Sequence, residues 1–353
     1  MILTNSSIGT FQFCERKYYW RYRRGLVPRK TNELMAIGTY FHQGMEVLLT
    51  DMTEEGRDRA IASIDLVAAE NSEAAHTGRF LIARYYDHWS TKVPSWVEVI
   101  APEKTILVPA GQGRWVAGKL DGLVADDQSR LWIVEHKTTY AVDADYLEKV
   151  ELDGQITHYM MLAEAEFGTL PAGVWYNTIC RPRIYRRKDE DIFIYLTRAA
   201  VEYRSQPLSY VARQRAYRSA TTIAEHKETV ARVADRIDSA IDVGFWCKNC
   251  NTALTCFARG RRCPYTALCT HGETPLVLAD FEHAAPHSEL DLPPHMTEQQ
   301  VYHQTHLPEA DPMGFNEDGG FLFVGPRGVA MAEEIKTLAN TLAGGVEECP
   351  PAQ

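Results

Sequence analysis

The sequence predicts an α/β fold in which helices flank a small mixed sheet. Apolar residues recur with helical spacing over about the first 90 residues, alternate as in strands from about residue 95, and return to helical spacing before a further strand. This order of helix, strands, helix and strand is typical of a sheet covered by helices. With 353 residues, 45% of them hydrophobic, the chain can bury one large core or two small ones.

The N-terminal part contains a strongly apolar helical stretch, LMAIGTYFHQGMEVLL, at residues 34–49. Within it, His42 and Glu46 are four residues apart, so a helix would place both side chains on one face.

Two further helices are predicted in the second half of the chain. Residues 146–168 have helical periodicity and end at Gly168, which is a suitable C-cap. Residues 208–243 are rich in Ala and Arg, begin after Pro207 and stop at Gly244.

The predicted strands are short runs of apolar residues bounded by polar turns. They cover residues 96–108, 113–126, 131–139, 173–181 and 191–198, with the turn DDQSR between the second and the third.

The second and third strand segments form a predicted hairpin centred on Gln128. In that register Asp121 and Glu135 are directly opposed on antiparallel strands, and opposed residues share a face of the sheet. Lys137, two residues beyond Glu135, points to the same face. Two carboxylates and one amine are thus predicted to converge. The same Glu-His-Lys tripeptide at residues 225–227 has no opposed Asp and is expected on the surface.

This convergence has a chemical interpretation. Opposed carboxylates repel each other, and a shared site raises the pKa of one of them. A bound Mg²⁺ or Mn²⁺ removes that penalty, can lower the pKa of a bound water and can stabilise charge on a phosphoryl oxygen. Lys137 can orient or help to deprotonate the water, so phosphodiester hydrolysis fits. The alternative is a surface ion-pair cluster; Gly118 and Gly122 argue against it, because glycine inside a strand often marks a close approach of backbone or ligand.

The net charge of −10 is unevenly distributed. Residues 273–353 carry a net charge of −12, so the remaining 272 residues sum to +2. Basic residues cluster at 14–30, 181–188 and 259–262, and such clusters indicate either a surface for polyanions or a solvated face. In the first cluster interleaved aromatic residues suit stacking on unpaired bases. The predicted nucleic-acid contacts there are Arg16, Lys17, Tyr18, Arg21 and Arg23.

The first residues, MILTNSSIGT, lack the basic and apolar regions of a secretory signal, and no apolar run approaches the roughly 20 residues of a membrane span. We therefore expect a soluble, cytoplasmic protein without a membrane partner.

Five of the eight cysteines fall between Cys247 and Cys269, whereas Cys14, Cys180 and Cys349 stand alone. In a cytoplasmic chain of this size, clustered cysteines indicate a metal site rather than disulfides. Four thiolates suit either Zn²⁺ or an iron–sulfur cluster.

The segments GKLDGLV and LWIVEHKTT together resemble the active-site hairpin of the PD-(D/E)XK nuclease superfamily, specifically its RecB-like exonuclease branch. Asp121 matches the Asp of the motif, Glu135 its acidic residue and Lys137 its Lys. The resemblance covers roughly residues 1–272. It implies a restriction-endonuclease-like core and a DNA exonuclease that depends on Mg²⁺ or Mn²⁺.

Two helices extend the resemblance. GTYFHQGMEVL is similar to the upstream helix of this branch, which implies that His42 is a further metal ligand and Glu46 a neighbour that orients it or the metal water. DGQITHYMML is similar to the following helix, which implies that Gln155 and Tyr159 lie near Lys137 and the DNA.

Some RecB-like exonucleases, among them CRISPR-associated and AddB-type nucleases, ligate a [4Fe–4S] cluster with one Cys before the nuclease core and three after it. Cys14, within FQFCERKYYWRY, matches the first ligand. The preferred closing set, with the spacing of phage-type relatives, is Cys256, Cys263 and Cys269, and the alternative set is Cys247, Cys250 and Cys256. Zn²⁺ is the alternative metal.

The predicted organisation is a nuclease domain at residues 1–272, with its core at about 95–200 and a cysteine clasp that joins Cys14 to residues 247–269. An acidic, partly disordered extension follows at residues 273–353 and could bind a protein partner or mimic DNA. The predicted function is a DNA exonuclease in recombination, repair or phage DNA processing. The alternative is a nucleic-acid-binding or assembly module that keeps the nuclease fold without strong catalysis.

Overall fold

The computed structural model describes residues 1–29, 33–68, 72–92, 96–249, 251–258 and 261–296. The helices are α1 (Asn5–Phe13), α2 (Glu15–Tyr18), α3 (Glu33–Thr50), α4 (Glu54–Asp65), α5 (Glu73–Trp89), α6 (Ala144–Val150), α7 (Gly154–Phe167), α8 (Ile192–Ser205), α9 (Ala220–Val243), α10 (Thr266–His271) and α11 (Pro275–Leu278). The strands are β1 (Ile2–Leu3), β2 (Leu26–Pro28), β3 (Glu98–Ala101), β4 (Lys104–Pro109), β5 (Trp115–Leu120), β6 (Gly122–Ala125), β7 (Leu131–Thr139), β8 (Gly173–Cys180), β9 (Val211–Ala216) and β10 (Phe281–His283).

A five-stranded sheet carries the predicted hairpin at its centre. Its order is β3–β6–β7–β8–β9, in which β7 and β8 are parallel and the other neighbours are antiparallel. A second sheet has the order β1–β5–β4, and β10 pairs with β2. The prediction of a mixed α/β fold with a helical N-terminal part is confirmed.

Strands β6 and β7 pair in the predicted register. Gly122 lies opposite Val134, which centres the hairpin on residue 128 as expected. The prediction of one continuous strand at residues 113–126 is wrong, because the chain breaks at Asp121 and β5 pairs with β4 in the other sheet. Asp121 therefore lies where the chain passes from one sheet to the other.

Helices cover both faces of the five-stranded sheet. On one face, Ile133 of β7 packs with Ile156 and Met160 of α7 in a core that α9 also joins. On the other face, α3, α4 and α5 enclose a second core that includes Phe41 and Tyr85. Burial on both faces explains why β7 begins with an unbroken apolar run. Among the helices that the structure describes, none is long and apolar enough to cross a membrane.

Two predicted strands are wrong at least in part. Residues 96–108 form two strands, β3 and β4, that belong to different sheets. Residues 191–198 begin α8, which Asp191 caps by accepting the Phe193 N–H at 2.8 Å. The helical pattern is not evident in the sequence of residues 191–198, because apolar residues lie on the solvent-exposed side of α8 as well as on its buried side. The buried residues of α8 are Leu196, Ala199 and Tyr203, whose spacing is helical.

The two other predicted helices differ from the structure at their boundaries. Strand β9 occupies the first part of residues 208–243, and α9 follows it after the N-cap Ser219. Gly244 ends α9 in the left-handed region, at φ 72°, as predicted. Residues 146–168 form α6 and α7 rather than one helix, and Gly168 ends α7 as predicted.

The N-terminal segment packs against the chain after residue 245. Trp246 is buried and stacks on Tyr18 at a centroid distance of 5.8 Å. Arg24 pairs with Glu273, and β10 pairs with β2. The boundary predicted at residue 272 therefore falls inside packed structure. Partial disorder and partner binding are predicted for residues 273–353; residues 273–296 include α11 and β10, and residues 297–353 lie outside the described residues.

A buried histidine of α7 pairs with a half-buried histidine of α9 beside β5. His158 of α7 is fully buried, with its Nε2 3.1 Å from the carbonyl of Ala117 and its Nδ1 3.2 Å from Nε2 of His226. Because a carbonyl only accepts, Nε2 of His158 carries the proton and Nδ1 accepts the N–H of His226. Burial lowers the pKa of His158 to about 4.

This pair predicts acid sensitivity. The folded pKa of His158 is below the unfolded value of about 6.5, so its stabilisation is complete above pH 6.5 and is lost as pH falls toward 4. Glutamine can donate to the Ala117 carbonyl without titrating. The free energy of unfolding, measured by urea denaturation, should fall between pH 7 and pH 5 in both proteins. We expect this fall to be about 1 to 2 kcal/mol smaller in His158→Gln than in the wild type. The control is His283→Gln, at an exposed position; equal pH dependence of His158→Gln and wild type would contradict the prediction.

Candidate active site

Asp121 lies at the break between β5 and β6, beside β7. Its Oδ2 accepts the N–H of His136 at 2.8 Å, and its Oδ1 is 3.1 Å from Nδ1 of His42 on α3. The side chain is 17% exposed. Because the carboxylate is bonded to the backbone of β7, its position follows from the register of the hairpin.

Glu135 and Lys137 meet Asp121 on one patch. Lys137 Nζ donates to Glu135 Oε1 and, at 2.9 Å, to Gln155 Oε1. The side chain of Glu135 is only 2% exposed, and its Oε2 has no hydrogen-bond partner among the described residues. The structure thus brings together the two carboxylates and the amine that the sequence predicts on one face.

Helix α7 begins at this patch. Asp153 accepts the N–H of Gln155 at 2.9 Å, which places Gln155 in the first turn. Gln155 Nε2 donates to the Tyr159 hydroxyl at 2.8 Å, so its Oε1 is left to accept from Lys137. A Cβ on Gly118 would lie 2.9 Å from the ring of Tyr159. Gly118 therefore marks the close approach of α7 rather than of a ligand.

His136 is a site residue that the sequence analysis misses. Its ring is buried near Phe41 and Tyr85, and neither ring nitrogen has a hydrogen-bond partner among the described residues. It contributes to the site through its backbone N–H. Strand alternation could have indicated its position, because His136 lies between Glu135 and Lys137 and its side chain therefore points to the opposite face of β7.

Glu46 lies apart from its predicted partner. Among the described residues no hydrogen bond or ion pair joins it to His42. Burial raises the pKa of Glu46, and Glu103 and Asp291 raise it further, whereas Lys119 opposes them. The expectation that Glu46 orients His42 or a metal water is therefore not supported by its contacts.

Burial and mutual charge give the site residues different proton affinities. Burial opposes the charge on Asp121, but His42 holds the pKa of Asp121 well below its usual range. Burial raises the pKa of Glu135, and the charge of Lys137 offsets part of that rise. Burial also opposes the charge on Lys137, yet Glu135 and Asp121 raise its pKa. The patch therefore holds a firmly ionised carboxylate, a more basic carboxylate and an ammonium group.

Tyr18 lies in the core instead of on a nucleic-acid surface. It is 2% exposed and packs against Phe11 as well as Trp246. The prediction that Tyr18 contacts DNA is wrong, because the aromatic residues of the first basic cluster fold inward against the chain after residue 245.

The basic side chains of that cluster are partly occupied. Arg16 donates from Nε to the Trp246 carbonyl at 3.2 Å, and burial lowers the pKa of Arg23. Lys17 and Arg21 lie over neighbouring aromatic rings and stay half-buried. These contacts tie the N-terminal segment to the core, and all four basic side chains are half-buried.

Four cysteines lie where the N-terminal segment meets the chain after residue 250, and neighbouring thiols raise the pKa of two of them. Burial raises the pKa of Cys263, and the thiols of Cys14 and Cys256 raise it further. Burial likewise raises the pKa of Cys269, to which Cys14 and Cys263 add. Cys247 is exposed, and its backbone N–H donates to Glu15. The thiols that influence one another are those of Cys14, Cys256, Cys263 and Cys269, although no three of these described thiols form a ready-made metal cluster. Cys250 lies outside the described residues.

The family model of the PD-(D/E)XK nuclease superfamily matches residues 3–270. The chain belongs to this superfamily. No curated protein sequence matches it.

The solved structures that resemble this chain include two that are described as exonucleases. A candidate exonuclease from Eubacterium rectale has a TM-score of 0.40 and 10% identity, over 77% of this chain and 94% of the other. The alkaline exonuclease LHK-Exo from Laribacter hongkongensis has a TM-score of 0.25 and 15% identity, over 57% of this chain and 92% of the other. A complex of LHK-Exo with dAMP has a TM-score of 0.23 and 14% identity, over 59% and 93%. The membership in the superfamily rests on the family match.

Nucleases of this superfamily typically use a divalent metal ion, and the residues present fit one. Asp121 and Glu135 supply the oxygen ligands that Mg²⁺ and Mn²⁺ prefer, and the buried Glu135 Oε2 is an acceptor without a partner. Among the described residues no three His, Cys, Asp or Glu side chains form a ready-made metal cluster. At the hairpin the ligands are instead engaged with His42 and Lys137.

Proposed function

We propose that this chain is a DNA exonuclease of RecB-like type that depends on Mg²⁺ or Mn²⁺. The observation that carries the proposal is the patch itself. Asp121 and the unpartnered Oε2 of Glu135 lie beside Lys137, on a hairpin whose register places all three.

In this proposal Asp121 and Glu135 hold the metal ion, with His42 as a further ligand. When bound, the ion stabilises charge on the phosphoryl group and lowers the pKa of water. The N–H of His136 keeps Asp121 in place while His42 neighbours its other oxygen.

Lys137 acts on the phosphate in this account. Glu135 and Gln155 hold its ammonium group, and the neighbouring carboxylates raise its pKa, so it is a donor rather than a base at neutral pH. A fixed cation of this kind stabilises the charge that develops on phosphoryl oxygens during hydrolysis. The hydrogen bond between Gln155 and Tyr159 fixes the amide that positions Lys137.

The choice of DNA and of free ends follows the resemblance to RecB-like exonucleases. The order of His42, Asp121, the Glu135–Lys137 pair and the Gln155–Tyr159 helix along the chain is that of the branch. Processing of DNA ends in recombination, repair or phage DNA metabolism would use such an activity.

The test is cleavage of linear DNA with Mg²⁺ or Mn²⁺. We expect Asp121→Asn and Lys137→Ala each to lower the cleavage rate at least about 100-fold, because each removes charge from the reaction centre. The matched control is Lys227→Ala in the second Glu-His-Lys tripeptide, where the lysine pairs with Glu164 at the surface at 2.7 Å. That variant should cleave like the wild type, and the melting temperatures of all variants show whether they fold.

Undiminished cleavage by folded Asp121→Asn would contradict the assignment. Cleavage of end-blocked circles at the rate of free-ended DNA would contradict the exonuclease proposal alone. Binding of DNA by the wild type without cleavage under either metal would support the alternative of a catalytically weak binding module.

We also propose that Cys14, Cys256, Cys263 and Cys269 ligate a [4Fe–4S] cluster. The proposal is supported by the influence of these thiols on the pKa values of Cys263 and Cys269 and by the hydrogen bond from the Cys263 N–H to the Cys256 carbonyl at 2.7 Å. Such a cluster would close a long loop and hold the two ends of the domain together.

Anaerobic purification tests the ligand set. We expect broad visible absorption and about four iron atoms per chain in the wild type, and loss of both in Cys14→Ala and in Cys263→Ala, because a cluster needs all its thiolates. Cys247→Ala is the matched control and should keep the cluster. A colourless wild-type protein that contains zinc would contradict the iron assignment, and loss of the metal in Cys247→Ala would contradict the ligand set.

A further inference from the structure

A polar cleft opens beside the carboxyl end of β7. Its volume is about 510 Å³, within the range of pockets that hold one small ligand. The residues that argue for its role are Ile37, Tyr140, Arg181, Arg186, Tyr195 and Arg261.

The cleft and the catalytic patch share two structural elements. Tyr140 directly follows β7 and is three residues beyond Lys137, a separation of about 10 Å along an extended chain. Ile37 lies on α3, which also carries His42. A strand of nucleic acid that is cut at Asp121 can therefore continue into the cleft.

The cleft is built from two basic clusters that are far apart in the sequence. Arg181 and Arg186 come from residues 181–188, and Arg261 comes from residues 259–262. Neither Arg181 nor Arg261 forms an ion pair with any residue that the structure describes, so both can accept an anion. Two carboxylates also line the cleft, Glu33 and Glu73, and Glu73 pairs with Arg186 at 2.7 Å. The three arginines and two glutamates together give the cleft a net charge of +1.

The loop that carries Arg181 and Arg186 is held in place by hydrogen bonds to α8 and β7. Arg198 makes two hydrogen bonds to Glu190, at 2.7 and 2.8 Å, and Tyr195 donates to the Ile184 carbonyl at 3.1 Å. The backbone N–H of Arg181 donates to the Thr139 carbonyl at 2.8 Å, which anchors it to β7. Arginine side chains on a fixed loop lose little entropy when they bind phosphate, for which their planar fork is suited.

The wall beside β7 is aromatic. Tyr140 is 59% exposed, so its ring is available to a ligand. Aromatic faces stack on unpaired bases with little dependence on sequence. The combination of arginine and an exposed tyrosine suits a phosphate and a base together.

We propose that this cleft binds an unpaired nucleotide of the substrate strand, with the phosphate on Arg181 and Arg261 and the base on Tyr140. The role of this nucleotide as a neighbour of the cleaved bond rests on the proposed function. The cleft thereby favours single-stranded ends over blunt duplex, because a paired base cannot stack on Tyr140.

The test measures binding of a labelled single-stranded oligothymidylate in EDTA by fluorescence anisotropy, using the full chain. We expect Arg181→Ala/Arg261→Ala to raise Kd at least about tenfold and to lower the slope of log K against log salt by about 0.7, since one neutralised phosphate of a single strand contributes about 0.7. Tyr140→Ala should raise Kd at least about fivefold, and Tyr140→Phe should bind like the wild type. Lys188→Ala, in the same loop but outside the cleft, should bind within about twofold of the wild type.

The proposal is overturned if the double arginine variant binds as tightly as Lys188→Ala, or if wild type prefers blunt duplex. Melting temperatures, and the variant Arg181→Gln, separate lost contacts from lost folding. Cleavage with Mg²⁺ is assayed in parallel. If the wild type cleaves DNA and the arginine variants bind normally, the proposed binding at the cleft is wrong and the proposed nuclease activity is supported. If the wild type binds through the cleft but does not cleave, the proposed nuclease activity is wrong and the binding at the cleft is supported.

Discussion

The hydrogen bond from the backbone N–H of His136 to Asp121 is the interaction on which the proposed reaction centre depends. Asp121 lies outside regular pairing, at the point where the chain leaves one sheet for another, and its other carboxylate oxygen has only His42 of α3 as a hydrogen-bond partner among the described residues. The bond ties it to β7, the strand that also carries Glu135 and Lys137. One register therefore positions all three side chains, and a slip by one residue would turn Glu135 and Lys137 to the opposite face.

The contribution of Glu135 and Lys137 to the stability of the fold does not explain why charged side chains occupy this buried patch. Removing Glu135 and Lys137 from water costs free energy that their mutual attraction only partly returns, and apolar replacements of buried ion pairs are often neutral or stabilising. The unpartnered Glu135 Oε2 adds a further cost of about 1 to 3 kcal/mol. A patch that is retained at such a cost is characteristic of a functional site. The packing of α3, α5 and α7 around the hairpin supports it from both faces.

Much of the site could be predicted from the sequence because it is local. A tight turn fixes which residues are opposed, and strand alternation fixes which share a face, so Asp121, Glu135 and Lys137 could be placed without coordinates. Helical spacing likewise placed Gln155 one turn from Tyr159. The position of Asp121 at a break could not be predicted, because the pairing of the preceding strand β5 with β4, in the other sheet, depends on tertiary contacts.

Other features depend on parts of the chain that meet only in the fold. Tyr18 looks like a stacking residue in the sequence and is buried because Trp246, more than 200 residues away, covers it. Glu46 shares a helix with His42, but its surroundings are set by Lys119 and its neighbours. Residues 191–198 have strand-like composition, yet form a helix because only one side of the run finds a core to pack against.

The most direct test of the central claim is Mn²⁺ binding followed by electron paramagnetic resonance, which reports the ion without requiring cleavage. The account predicts that the wild type binds Mn²⁺, that Asp121→Asn/Glu135→Gln loses this binding, and that the control Glu225→Gln retains it. Equal Mn²⁺ binding by the wild type and by the folded double variant would contradict it.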